Sequence, residues 1–187
     1  MALAVVAGAL ANRPQNGGGA WVRLSWVWGL RRLGYDTWFL EQIDGADPGA
    51  VAFYEEVIGD FGLRDRSVLL QDRAKIPGDV IELAEAADLL VNLSGHLSLM
   101  PLFGRFRRKA FVDLDPGFTQ FWYAAGNSGA RLAGHDVYFT IGENIGTDSC
   151  SIPTCGIDWR LIRPPVVLED WPVANDGMPD YFTTVGS

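Results

Sequence analysis

The sequence is short of the residues that metal sites and disulfide frameworks need. Its 187 residues include two cysteines, Cys150 and Cys155, and two histidines, His96 and His135. A zinc site usually needs two closely spaced cysteine pairs, or one such pair with a closely spaced histidine pair. "CSIPTC" is a single pair and the histidines lie far apart, so no metal and no cofactor is expected. The two thiols read as a structural pair or a local disulfide. Positive charge is also scarce: 15 Lys and Arg face 23 Asp and Glu, a formal net charge of −8. That balance excludes a broad basic face for nucleic acid. The one dense basic cluster, Arg105, Arg107, Arg108 and Lys109, reads as the solvated C-terminal end of a helix, where cations suit the dipole.

Long apolar runs are missing too. No stretch approaches the roughly 20 apolar residues that span a bilayer. The opening "MALAVVAGAL" has no positively charged start and an apolar run of only about ten residues, short of a secretory signal. It reads as a buried first strand, and the chain as cytoplasmic with no membrane span. Asn92 in "NLS" matches a glycosylation sequon, but it sits inside an apolar run, so the match reads as chance. No internal repeat or low-complexity linker appears.

What is present argues for a globular fold. Hydrophobic residues make up 48% of the chain, with seven Trp and ten Phe, enough for one domain over residues 1–187 with a real core. Short apolar runs alternate with helical patterns. Strands are expected at 2–10, 35–43, 66–71, 88–94, 109–115 and 135–143. Helices are expected at 20–34, 47–62, 79–87, 96–106 (interrupted by Pro101) and 116–126. Gly34 suits a helix C-cap, and Asp47 with Pro48 suits a helix start. Asp79 and Glu82 have capping-box spacing. The alternation predicts an α/β fold: an open, mainly parallel, Rossmann-like sheet with helices on both faces.

In such sheets ligands bind beyond the carboxyl ends of the strands, near the switch in strand order. The residues that follow the strands are therefore the candidates. After the first strand come Asn12 and the glycines Gly17, Gly18 and Gly19. Three successive glycines cost backbone entropy and need a reason: a flexible turn, or backbone N–H groups at a helix start that hold an anion. The spacing fits neither a dinucleotide fingerprint nor a Walker A loop, since polar residues and Pro14 intervene and no Lys follows. The fourth strand leads to Gly95 and His96; His96 is a candidate general base, or a helix cap. The fifth leads to Asp113 and Asp115, which flank Leu114 and so share one side of an extended strand. They can orient a histidine or a sugar hydroxyl, while "DP" also reads as a plain N-cap and first-turn proline. The sixth leads to Gly142 and Glu143, a ligand contact or a solvated strand end.

The glycine stretch, "GLRRLGYDTWFLEQ", "FVDLDPGFTQFW" and "GHDVYFTIGENIG" followed by "IPTCGIDWRLIRPPVVLEDWP" resemble the N-terminal half of bacterial GT-B glycosyltransferases of the family 1 type. Tyr35 stands where that pattern often has His. The resemblance covers nearly the whole chain but only half of such an enzyme. It implies an acceptor-side domain whose donor-side, C-terminal domain is missing after Ser187, with "YFTTVGS" resembling the start of an interdomain strand. It further implies transfer of a sugar from a nucleotide-sugar donor to an acceptor hydroxyl, without a bound metal. His96 or an aspartate would be the base if the enzyme inverts; a retaining enzyme needs none. Alone, such a half should bind weakly and turn over nothing. Two other readings stay open: a nucleotide-binding oxidoreductase or epimerase, for which Glu41 near the end of the second strand is the suggestive acid, and a non-catalytic binding module, with Trp21, Trp26 and Trp28 as core or interface.

Overall fold

A computed structural model describes residues 1–45, 47–72 and 74–172; "YFTTVGS" lies outside the described residues. Seven strands form one sheet: β1 (Leu3–Ala7), β2 (Asp36–Gln42), β3 (Ser67–Leu70), β4 (Leu89–Leu93), β5 (Lys109–Asp113), β6 (Val137–Thr140) and β7 (Trp159–Leu161). All neighbouring pairs are parallel, in the order β3-β2-β1-β4-β5-β6-β7. The α/β, Rossmann-like expectation holds. The seventh strand was not expected: its three residues carry too short a pattern to stand out from the loops around them.

The first strand lies inside the sheet, paired on both sides. That explains its unbroken apolar run, since a parallel strand is covered on both faces. Successive residues serve opposite layers. Val6 packs in one core with Leu24, Phe39, Tyr54 and Val112, whereas Val5 and Ala7 pack in another with Leu40, Val80, Leu90 and Leu102. The first layer is covered by α1 (Gly17–Arg32) and α2 (Pro48–Asp60), the second by α3 (Gly78–Ala86) and α4 (Met100–Phe103). A short α5 (Phe118–Ala124) follows β5. No helix among the described residues is long and apolar enough to cross a membrane.

Local chemistry explains most helix ends. Asp47 accepts the Ala50 N–H at 2.8 Å, with Pro48 in the first turn, a cap worth about 1 kcal/mol. Gly34 follows α1 with φ +87°, a left-handed position that glycine adopts without strain. Three expectations fail. The helix proposed for 79–87 begins at Gly78 after Pro77, and Asp79 accepts only the adjacent Val80 N–H, so the Asp79–Glu82 capping box does not form. The helix at 96–106 shrinks to Met100–Phe103, because Pro101 suits only a first turn. Arg105, Arg107, Arg108 and Lys109 consequently lie past this helix; Arg105 pairs with Glu85 and Arg107 with Asp88. And Asp115 is not a helix cap: α5 starts later, after Gly117 at φ +96°.

The triple glycine is the first turn of α1 and not a loop. Asn16 caps it by accepting the Gly19 N–H at 2.8 Å. Gly17 and Gly18 face open space, whereas a Cβ on Gly19 would come within 2.8 Å of the Arg23 guanidinium and 2.9 Å of the Asn16 amide. Only the third glycine has a packing reason.

Candidate functional site

The chain leaves β1 towards β2 and β3 on one side, then returns to build β4 to β7 on the other. The switch in direction lies between β1 and β4, where parallel sheets open a crevice at their carboxyl ends. Polar side chains at or near those strand ends are buried, and each fastens a neighbouring segment. Glu41 in β2 accepts the N–H groups of Leu10 and Ala11 at 2.7 and 2.9 Å and of Asn12 at 2.8 Å. Gln42 accepts from Ser98 and Leu99. Asn92 in β4 accepts the Leu97 N–H and donates to the Leu97 carbonyl, closing the turn that carries His96. Unpaired buried groups are costly, so these contacts fix the rim firmly.

The rim encloses a cleft of about 540 Å³. Asn12 and Arg13 reach it from the segment after β1, Arg23 from α1, and Ser94 and His96 from the turn after β4. Asp115, Phe118 and Trp122 line it from the β5–α5 segment, and Arg131 lines it from the loop before β6. Ser94 and Gly95 have φ of +46° and +67°; this left-handed turn directs the chain back at His96. A Cβ on Gly95 would meet Arg131 Cβ at 2.8 Å, so that glycine lets the arginine loop close over the turn. Phe118 and Trp122 stand edge to face with centroids 6.1 Å apart, 68% and 49% exposed, as an open aromatic shelf.

Three arginines, Arg13, Arg23 and Arg131, and two carboxylates, Asp44 and Asp115, set the electrostatics of the cleft. Burial, and then the charges of Arg23, Arg131 and Arg13, push the His96 pKa down to about 4, so the imidazole is neutral at pH 7. Arg23 donates to the Gly19 carbonyl at 2.8 Å, while its buried Nε has no hydrogen-bond partner. Burial lowers the Arg23 pKa, with Asp115 and Glu41 opposing that shift. Among the described residues no ion pair includes Arg13, Arg23 or Arg131, whereas Arg32, Arg64, Arg66, Arg105, Arg107, Arg160 and Arg163 each face a carboxylate.

Of the residues singled out from sequence, Asn12, His96 and Asp115 meet in this cleft. Asp113 does not reach it. Its fully buried carboxylate accepts from Thr119, Gln120 and Thr140 at 2.7–2.8 Å and from the Asp115 N–H at 3.1 Å, so it anchors α5 to the sheet. Gly142 is packed between Pro116 and Ile145, each 2.8 Å from where its Cβ would lie. Glu143 pairs with Arg163 at 2.9 Å, away from the cleft. Gly17 and Gly18 lie on the exposed start of α1 and do not line the cleft either. Sequence reasoning missed Arg13, Arg23 and Arg131. Arg13 and Arg23 flank the glycine stretch and were a readable signal; Arg131 sits in "NSGARLAG", which has no periodicity to place it.

Three further findings bear on chemistry. Glu41, the acid an oxidoreductase would use on a ribose, is 1% exposed and already engaged by three backbone N–H groups. Cys150 and Cys155 are both free thiols, and Cys155 donates to the Gln120 carbonyl at 3.3 Å. Asn92, the sequon residue, is fully buried. A second hollow, of about 620 Å³, lies over the sheet among Val91, Val112 and Phe139 and reaches the starts of β4, β5 and β6, with Arg107, Arg108 and Asp136 at its edge; it shares no lining residue with the first cleft. No protein-family model matches this chain, and no curated protein matches it either.

Proposed function

We propose that this chain is the acceptor-side domain of a glycosyltransferase that moves a sugar from a nucleotide-sugar to an acceptor hydroxyl, with inversion at the anomeric carbon. One observation carries the reading: a neutral imidazole, His96, in a polar cleft at the switch point of a parallel sheet, beside an open aromatic shelf. A neutral imidazole can accept a proton where an imidazolium cannot. Asp113 is engaged by four donors, which leaves His96 as the base and Asp115 as a partner for acceptor hydroxyls. The apolar face of a sugar ring suits Phe118 and Trp122.

In this reaction the acceptor oxygen attacks the anomeric carbon as His96 removes its proton. A carbon–oxygen bond forms to the acceptor and the bond to the leaving nucleoside diphosphate breaks. The proton then passes from His96 to solvent. The donor is held mainly by a second domain, which is the part of the proposal that lies beyond Ser187. The oxidoreductase alternative loses support, because the carboxylate it needs is occupied by backbone.

The test starts with the coding sequence past Ser187 and then takes the whole natural product. Incubated with nucleotide-sugars and a panel of acceptors, it should release nucleoside diphosphate only when an acceptor is present. A titration with NADH should show no binding. A frame that stops at Ser187 with no partner chain, or saturable NADH binding, would favour the other readings.

A further inference from the structure

The geometry points to an acidic acceptor: the cleft is built to hold a phosphate monoester or carboxylate group of the molecule that receives the sugar, on Arg13, Arg23 and Arg131. This inference rests on the proposed transferase reading and names its substrate class.

The chain as a whole is strongly acidic, with a net charge of −8, yet in this one hollow three guanidinium groups outnumber the two carboxylates, Asp44 and Asp115. Arg13 and Arg23 flank the glycine stretch and Arg131 lies more than a hundred residues further on, so the fold brings the third to the other two. Seven other arginines face carboxylates, while these three, like Arg31 and Arg108, are in no ion pair among the described residues; what sets the three apart is that they line one cleft. Arg23 is the telling member. Its side chain lines the cleft while half withdrawn from solvent: one terminal nitrogen donates to the Gly19 carbonyl, the Nε is buried without a partner, and the carboxylates acting on it are Asp115 and Glu41. Burial disfavours the charged form of Arg23, and an anion held in the cleft beside it would offset that cost. Guanidinium groups match the planar or tetrahedral oxygens of carboxylate and phosphate with paired hydrogen bonds.

The position favours the acceptor over the diphosphate of a donor. All three arginines line the same cleft as His96, the proposed base, so an anion among them shares that cleft with the hydroxyl that His96 deprotonates. An anion there also improves the base. It offsets the three positive charges that disfavour imidazolium and moves His96 towards the working pH, where a general base is most effective. The exposed shelf of Phe118 and Trp122 leaves room for the rest of the molecule on the solvent side.

Calorimetric titration of the intact natural protein tests this with glycerol 3-phosphate, glucuronate, neutral glycerol and UDP as probes. Glycerol 3-phosphate or glucuronate should bind, inorganic phosphate should compete, and glycerol should not bind. Arg13→Gln and Arg131→Gln, both at exposed positions, should each weaken the acidic probe roughly tenfold and leave UDP affinity unchanged. Arg108→Gln, which removes the same charge elsewhere, should have no effect, and thermal melting checks that all variants fold. The inference is overturned if no acidic probe binds better than glycerol, or if the cleft variants weaken UDP and spare the acidic probes. Arginine-dependent binding without any sugar transfer would sink the transferase reading and keep the anion site. Transfer onto neutral acceptors, indifferent to both arginines, would do the reverse.

Discussion

Asn92 Nδ2 lies 3.0 Å from His135 Nε2, and this pair holds the turn that presents His96 from behind. His135 Nδ1 lies 3.0 Å from the Leu132 carbonyl, which can only accept, so Nδ1 carries the proton and Nε2 accepts from Asn92. Burial lowers the His135 pKa, in keeping with that neutral tautomer. Asn92 also brackets Leu97 through both of its backbone groups. Asn92→Ala should therefore cost about 2–3 kcal/mol, because it strands buried backbone groups, as read by urea denaturation. A loss below about 0.5 kcal/mol, the level of an ordinary surface substitution, would show that the turn does not depend on this side chain.

Asp113 is the equivalent post for the other wall. Asp113→Ala should destabilise by about 3 kcal/mol, since Thr119, Gln120 and Thr140 lose one shared acceptor in the core. Asp113→Asn keeps the shape but turns an amide donor towards existing donors, and should cost about 2 kcal/mol. Chemical denaturation of both variants checks the order. An Asp113→Asn protein of native stability with no sugar transfer would instead give this residue a direct catalytic role.

The three glycines should separate in mutagenesis. Gly17→Ala and Gly18→Ala place a methyl group in open space on a helical first turn, and should raise stability by about 0.5–1 kcal/mol. Gly19→Ala meets Arg23 and Asn16 and should destabilise. Melting temperatures of the three single variants decide it; equal behaviour would contradict the packing account of Gly19.

The charge state of His96 is directly observable. The native imidazole has a pKa of about 4, against 6.5 for the free side chain. Between those values the unfolded chain binds more protons, so this residue's contribution to stability is complete above pH 6.5 and declines as the pH falls towards 4. The His96 ring proton should titrate by NMR near pH 4. Arg131→Gln should raise that midpoint by removing one positive charge, and so should saturating glycerol 3-phosphate. A midpoint near 6.5 in the unliganded protein would mean that neither burial nor the arginines act on the ring as described.

The strands were legible because fully buried parallel strands are near-continuous apolar runs, as "ALAVVAGAL" and "DLLVNLS" show. Helix starts were less so. The glycines of α1 have the weakest helix propensity after proline, and only the Asn16 cap and the body of the helix draw them in. His96 was found because the turn after a central strand is a privileged place in this fold. The roles of Glu41, Asn92 and Asp113 were not found, since a polar residue at a strand end looks the same whether it faces a ligand or fastens a loop. The arginines were missed for a third reason: Arg13 and Arg131 are far apart in sequence and meet only through the β1–β4 switch and the glycine at position 95.

The most direct measurement is the anomeric configuration of the product made by the intact natural protein from an α-linked nucleotide-sugar, followed by proton NMR with the wild type and His96→Gln. The expected result is a β-linked product from the wild type and a rate lower by about a hundredfold or more in the variant, the usual effect of removing a general base. No product from any nucleotide-sugar, or an α-linked product formed at the wild-type rate by His96→Gln, would contradict the account.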